Sequence, residues 1–458
     1  MKHSLILMAF AAVAFASAVF APPGFIKSLG VKLHDALFAH MARNGLVLGV
    51  TNSINVYQTL AREAAAIFEE NAPFITNVNR ATEDDFERKY DKYKPGSTVN
   101  ITVPPTAHVY TGAQFAQGGS AEAFTERQVP VTFSDATDRK HVTLSMSTFE
   151  KVFNIPDAKQ DWIDRFLKPK MASLAATVDA DMISRAVNLT PNLVGTPGTA
   201  ITAMSVVAQA RAKLQRSLAP MVDRYSLISD TTNLGLVDAS KGLFNPDAKI
   251  SKQYIEGYIG GAQGAEFFEC VNLPSHSNGA DVTGATVSGA GQTGSTLLVA
   301  GITTGAIVTK GTVFTIAGVN AVHPLTGNSY ATLQQFVVTA DATGGATTTL
   351  LSIYPALTAA MPNQTIDSVP ADTAALVFVG AASTAYKQNL MYQKDAFTIA
   401  MMPLPVIASC VGYTYNAKGF SMRVMTFGDG VNDIESTRID VLCTLAAVRN
   451  EWACRMTE

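Results

Sequence analysis

Charge is scarce in this chain: Asp, Glu, Lys and Arg make up 16% of its 458 residues, and the formal net charge is -3. No cluster of Lys and Arg interrupts that balance. This excludes a nucleic-acid binder built on basic patches, because neutralising phosphates takes grouped cations. Cysteine is equally sparse. Cys270, Cys410, Cys443 and Cys454 show neither the paired spacing of a zinc site nor the density of a disulfide scaffold, so they read as reduced, small buried hydrophobes. The seven histidines lack metal-ligand spacing, and no Ser stands in a nucleophile elbow. No catalytic residue, metal or cofactor is therefore expected, and His108 and His141, in or beside strands, read as surface residues.

Hydrophobic residues are plentiful, at 47%. The length is too great for one core and calls for about two to four domains. The most continuous helical signal covers 157–189. After Pro169, apolar residues fall at Met171, Leu174, Ala175, Val178, Met182 and Ala186, which gathers them into one stripe on a helix. Pro169, lacking an N–H, either opens this helix or kinks a longer one. At about 1.5 Å per residue the stretch would span roughly 50 Å, the length of a strut along an elongated subunit or of a long core helix.

The N-terminus admits three readings. Lys2 and His3 precede an apolar run over 5–20, and Ala16-Ser17-Ala18 offers a small-residue cleavage site, as in a secretory signal; the run is short for a membrane span. Ile26, Leu29, Leu33 and Leu37 then mark a short amphipathic helix over 25–39, suited to docking on a partner or a membrane surface. Met41 follows, so residues 1–40 also fit upstream sequence read from an early start codon.

A capped helix is expected over 52–70, with Val56, Leu60, Ala64, Ile67 and Phe68 on one side and Asn71-Ala72-Pro73 closing it. Period-two alternation then predicts strands over 98–103, 129–133 and 142–146. Between them lie the Gly/Gln-rich stretch 112–120 and a polar turn over 134–140. The whole reads as a long β excursion, either an arm reaching off the body or a surface hairpin. Beyond 189, helices over 200–217, 231–243 and 249–259 alternate with strands over 225–229 and 266–272, the mark of a mixed α/β region.

The sharpest change in composition comes near Asp281. Over 281–384 charges almost vanish, and short β segments follow at 297–299, 312–316, 335–339, 348–353 and 375–379 between Gly, Pro and Asn turns. From 396 onward the earlier character returns, with strands over 421–426 and 437–447. A chain that leaves one style and returns to it carries an inserted domain.

Several tempting motifs fail on context. Gly289 to Gly294 fits a three-glycine dinucleotide pattern, but a strand follows where the phosphate needs a helix N-terminus, so the run reads as a turn. Asp179 and Asp181, two apart on a helix, point to different faces and read as solvated charge. Asn100, Asn188 and Asn363 head glycosylation sequons of the kind a Thr-rich chain produces by chance.

Longer runs carry a resemblance. Phe166-Leu167-Lys168-Pro169 with Met171, Leu174 and Ala175 is one, and the Lys310 to Val322 run KGTVFTIAGVNAV is another. Leu333 to Ala340, Lys394-Asp395-Ala396-Phe397 and Thr437 to Leu442 with Arg449, Glu451, Ala453, Cys454 and Arg455 follow in consistent order. Over roughly residues 50–458 the chain resembles the major coat protein of short-tailed double-stranded DNA bacteriophages. That resemblance implies an α+β fold, the Hong Kong-phage capsid fold: a long spine helix, an extended β loop, an axial α/β domain and an inserted small β-barrel domain.

The division it implies is an N-terminal extension over 1–40, an arm and helix over 41–96, and the β loop over 97–148. The spine and peripheral domain follow over 149–200 and the first part of the axial domain over 201–280. The inserted barrel takes 281–385, and the chain returns to the axial and peripheral domains over 386–458. The implied function is self-assembly into an icosahedral shell around double-stranded DNA, with no enzymatic activity; the alternative is a secreted β-rich surface or adhesion protein.

The implied partners are copies of itself in hexamers and pentamers, a scaffolding protein, a portal protein and packaged DNA without sequence-specific binding. No membrane is involved, and assembly would take place in the host bacterial cytoplasm, ending in the virion. The β loop would lie across a neighbouring subunit, with inter-subunit contacts expected at Val109, Tyr110, Phe115, Phe124, Arg127, Asp135, Asp138, Arg139 and Lys140. Two departures stand out. Residues 1–40 have no counterpart in such coat proteins, and the region near Gly289 to Gly294, where some relatives carry an acidic loop bonding across two-fold axes, is short and uncharged.

Overall fold

A computed structural model describes residues 52–80, 99–103, 126–147, 163–240, 260–279, 284–361, 363–417 and 419–458. The chain divides into two units, Met1–Tyr57 and Gln58–Glu458, and the elements below belong to the second apart from the first residues of the helix Asn52–Asn71. The expectations for residues 1–40, for the stretch 112–120 and for a helix over 249–259 lie outside the described residues.

The spine is an α-helix over Lys168–Leu189, entered through a π-helical turn at Ile163–Leu167. Pro169 sits in its first turn, at the junction with that π-helical turn. The predicted stripe of Met171, Leu174, Ala175, Val178, Met182 and Ala186 is buried, and Ile183 and Val187 widen it. Asp179 is buried with them, which overturns its reading as solvated charge. The reason lies 104 residues away in sequence: its Oδ1 accepts the Ile75 N–H at 3.2 Å, from the short helix Pro73–Asn77 laid against the spine.

Burial pushes the Asp179 carboxyl up from 3.8 to about 7, against the backbone N–H groups of Ile75 and Phe74 and the Asn272 side chain, which favour the anion. The folded state therefore holds this proton more tightly than the unfolded chain does. The stabilisation is complete below about pH 3.8 and is lost as pH rises through about 7. Urea midpoints taken across that window should fall with pH more steeply for the wild type than for Asp179→Asn. Parallel curves would mean that this carboxyl does not titrate there.

Outside 284–378 the described strands form two larger sheets and one two-stranded pair. One of the larger sheets has seven strands. Ala385–Gln393 lies between Ala453–Thr457 and Arg224–Ile228, with Asn192–Val194 at one edge and Ala265–Glu269 and Gly261–Ala262 at the other; Ser275–Ser277 pairs with the start of Ala385–Gln393. The helix Met204–Arg216 covers one face, contributing Val207, Ala210 and Leu214 to a core with Ile228, Phe267, Met391, Cys454 and Met456. The other sheet is six-stranded, with Ile434–Ala447 between Phe397–Met401 and Phe420–Asp429, and with Arg139–Ser147 also paired to Ile434–Ala447.

The β excursion keeps two of its predicted strands as a pair, Val99–Val103 with Arg127–Val131. The stretch 134–140, expected as a polar turn, is instead one helical turn, Asp135–Asp138, running into the strand Arg139–Ser147. The Asp138 carboxylate closes that turn by accepting the Ser134 N–H at 2.8 Å.

Within 284–378 a separate six-stranded sheet runs Thr286–Val287, Gly294–Ala300, Thr348–Leu357, Ser329–Val338, Val313–Val322, Leu376–Phe378. Its first and last strands also meet: Thr286 and Ala375 form a bridge, and the Leu376 N–H donates to the Ala285 carbonyl at 2.9 Å. The inner side carries a core of its own, in which Phe314 stacks on Phe336 at 5.7 Å and touches Phe378 at 5.4 Å. Gly289 to Gly294 turns between two strands, with the Gln292 side chain bonding the Leu298 N–H and carbonyl. This sheet docks on the seven-stranded one through Gln335, whose amide accepts the Leu193 N–H at 3.0 Å and donates to the Leu193 carbonyl at 2.9 Å.

Candidate functional site

The predicted contact residues divide three ways. Val109, Tyr110, Phe115 and Phe124 lie outside the described residues. Asp135, Asp138, Arg139 and Lys140 come together at the base of the β loop, where the helical turn meets the strand Arg139–Ser147. Arg127 stands apart, on the strand pair. Its guanidinium donates to the Tyr354 hydroxyl at 2.9 Å and to the Val448 carbonyl, and Tyr354 in turn donates to Glu451.

Two ionic groups hold the loop base. In the first, Asp440 is fully buried and lies on one face of its sheet with Arg423, its cross-strand partner, and with Arg438, two residues away along the strand. Arg423 donates from Nη2 and Nε to Oδ2 at 2.8 and 3.2 Å, and Arg438 donates from Nε to Oδ1 at 2.8 Å. Arg139, opposite Leu442 and so on the same face, reaches Oδ1 at 3.4 Å. It also pairs at 3.2 Å with Asp135, whose side chain is 81% exposed.

The second group ties the loop to the spine. Arg185 donates from Nη1 to Asp138 at 2.6 Å and from Nη2 to Asp181 at 3.0 Å, and Lys140 lies 3.7 Å from the same Asp181. A groove of about 330 Å³ runs between the loop base and the spine, lined by Arg139, Lys140, His141, Ser173, Leu174 and Thr177 among others. His141 is exposed. Asp440, Arg423, Arg438, Arg185 and Asp181 were not singled out from sequence as contact residues. The signal was present at Arg438 and Asp440, two charges on one face of a strand whose alternate residues Ile439 and Val441 are apolar.

No group of three or more His, Cys, Asp or Glu among the described residues could hold a metal ion. Three of the four cysteines are buried and all are free. Burial pushes the Cys270 thiol up to about 11 and those of Cys443 and Cys454 up to about 12, which keeps them protonated and unreactive. No helix among the described residues is long and apolar enough to cross a membrane.

A spine helix braced by a β loop, two mixed sheets and a further β unit within the chain define a shell subunit with the tailed-phage capsid fold. The family described as "P22 coat protein - gene protein 5" matches residues 51–456. The chain belongs to that P22 coat protein family. It is a major capsid protein, a structural component of the virion shell, and the reading as an exported surface protein falls away.

Solved structures that this chain matches include a Mycobacterium phage Che8 chain, 12% identical, covering 83% of this chain and 89% of that one with a TM-score of 0.42. The bacteriophage PhiM1 mature capsid is 9% identical over 80% of this chain and 82% of that one, with a TM-score of 0.40. The CUS-3 coat protein I-domain is 25% identical and covered in full, over 22% of this chain, with a TM-score of 0.18. None of the curated proteins matches this chain.

Proposed function

We propose that this chain builds an icosahedral shell of hexamers and pentamers around packaged double-stranded DNA. Assembly takes place in the host bacterial cytoplasm with a scaffolding protein, and the shell carries a portal protein. DNA is enclosed without sequence-specific contacts, no membrane takes part, and the work done is association rather than turnover, so the protein is not an enzyme. The coat-family match over 51–456 carries this reading. Each contact is modest, and many per subunit act as one multivalent array.

Within the subunit we read the division given by the sequence, with 97–148 as the β loop and 281–385 as an inserted β-barrel. The bridge between the first and last strands of that segment and its separate core support closure into a barrel. Val109, Tyr110, Phe115, Phe124 and the exposed Asp135 reach the neighbouring subunit. Arg127, Asp138, Arg139 and Lys140 set the loop's position through the bonds described above.

Sedimentation and electron microscopy of protein expressed from Met41, alone and with its scaffolding protein, test the reading. Shells, or tubes and spirals of similar wall thickness, are expected; small soluble species alone, from both Met41 and Met1 starts, would overturn it. Val431 offers a sharper probe. It is 93% exposed at the tip joining Phe420–Asp429 to Ile434–Ala447, an apolar side chain with no cover in the single subunit. Val431→Glu should leave the unfolding free energy within about 0.5 kcal/mol of wild type while lowering shell yield. An unchanged yield would place this tip outside the contacts.

A further inference from the structure

The strand Ala453–Thr457 carries a guanidinium with no access to solvent. Arg455 is 0% exposed, and its Nη1 donates to the Gly311 carbonyl at 2.8 Å. Nε and Nη2, the two nitrogens on the side-on edge of the group, have no acceptor among the described residues. Burial pushes its pKa down to about 9, and among the described residues the neighbouring group that works against this is the Cys454 thiol rather than a carboxylate. The charge nevertheless persists at neutral pH. A buried cation with no counter-charge is costly, and a pair of parallel N–H groups on one guanidinium edge is the geometry that bidentate oxyanions occupy.

Two acceptors share its face of the sheet. Arg455 pairs with Leu390, which puts Gln388 and Tyr386 on the same face, and His276 joins them as the cross-strand partner of Tyr386. The Gln388 amide donates to Tyr386 and Thr457, leaving a buried Oε1 with no donor. His276 is pushed down to about 4, first by burial and then by the Arg455 charge, so it is neutral at pH 7 and lies within that charge's field. Its ring is hydrogen-bonded to Asn278, and its buried Nε2 has no partner among the described residues. Because Asn278 Nδ2 already donates to the Val379 and Gly380 carbonyls, the oxygen of that amide faces the ring, which puts the proton on Nδ1 and the lone pair on Nε2.

We propose that Arg455, His276 and Gln388 form an occluded site for one small oxyanion bearing both bare and protonated oxygens, the chemistry of inorganic phosphate. Two bare oxygens accept from Nε and Nη2 of Arg455, and the protonated oxygens donate to His276 Nε2 and Gln388 Oε1. Sulfate supplies the first set of bonds and lacks the second. The ion sits where Gly311 of the 284–378 unit meets the C-terminal strand, and it is enclosed as the two cores dock.

The test is urea unfolding of the full-length chain at pH 7 and constant ionic strength, with sodium phosphate or sodium sulfate exchanged against sodium gluconate. Above the dissociation constant, each tenfold rise in phosphate should lower the unfolding equilibrium constant about tenfold. Sulfate should do less, and Arg455→Met should respond to both salts alike. An apolar side chain of similar volume commonly replaces a buried charge without loss of fold.

Should that variant fail to fold, native mass spectrometry of the wild type from phosphate buffer decides: the folded subunit should be one phosphate heavier than the unfolded one. Equal responses of wild type to phosphate and sulfate would overturn the proposal. So would an undiminished phosphate response in Arg455→Met, or equal folded and unfolded masses.

Discussion

Replacing Asp440 with Ala is expected to cost about 3–5 kcal/mol of unfolding free energy, the range seen when one partner of a buried ion pair is removed. The variant leaves Arg423, 5% exposed, with one remaining acceptor among the described residues, the Pro405 carbonyl at 2.7 Å. Arg438 and Arg139 keep contact with water, so Arg423 dominates the loss. Asp440→Asn should lose less, because one oxygen still accepts. Urea midpoints at equal m-values read both effects. A wild-type midpoint for Asp440→Ala would show that the three arginines find other partners.

Phe314→Ala is expected to cost about 3–5 kcal/mol, the range for removing a buried aromatic ring from a packed core. Phe314 has no exposed surface and touches both Phe336 and Phe378, so neighbours on two adjacent strands would have to collapse together to fill the space. Hydrogen exchange locates the loss. Protection should fall across 284–378 while the seven-stranded sheet keeps its slow amides, because the two cores are separate clusters. Equal loss in both would mean that they open as one.

Most of the elements were legible because their signal is local. The stripe from Met171 to Ala186 needs only a helical period, and the uncharged strands of 284–378 announce themselves by composition. What escaped depends on partners far away in the chain. Asp179 looks like a surface residue until the helix Pro73–Asn77 is laid over it. Arg139 and Lys140 look like turn residues until nine register pairs bind their strand to Ile434–Ala447. Asp440 could be placed on a strand face from its neighbours, but the three arginines that converge on it come from strands whose register no single stretch encodes.

The Gln335 side chain has a consequence for how this protein avoids the wrong partners. Asn192–Val194 is the last strand on its side of the seven-stranded sheet, and its register with Ala453–Thr457 turns Asn192 and Val194 inward. Leu193 alone presents an outward N–H and carbonyl, and one carboxamide satisfies both. A primary amide has the donor and acceptor of a peptide group, so Gln335 acts as a one-residue strand that ends the sheet. A subunit made in many copies at high local concentration thereby offers no template at this edge for another chain to add a strand, and Gln335→Ala would uncover it.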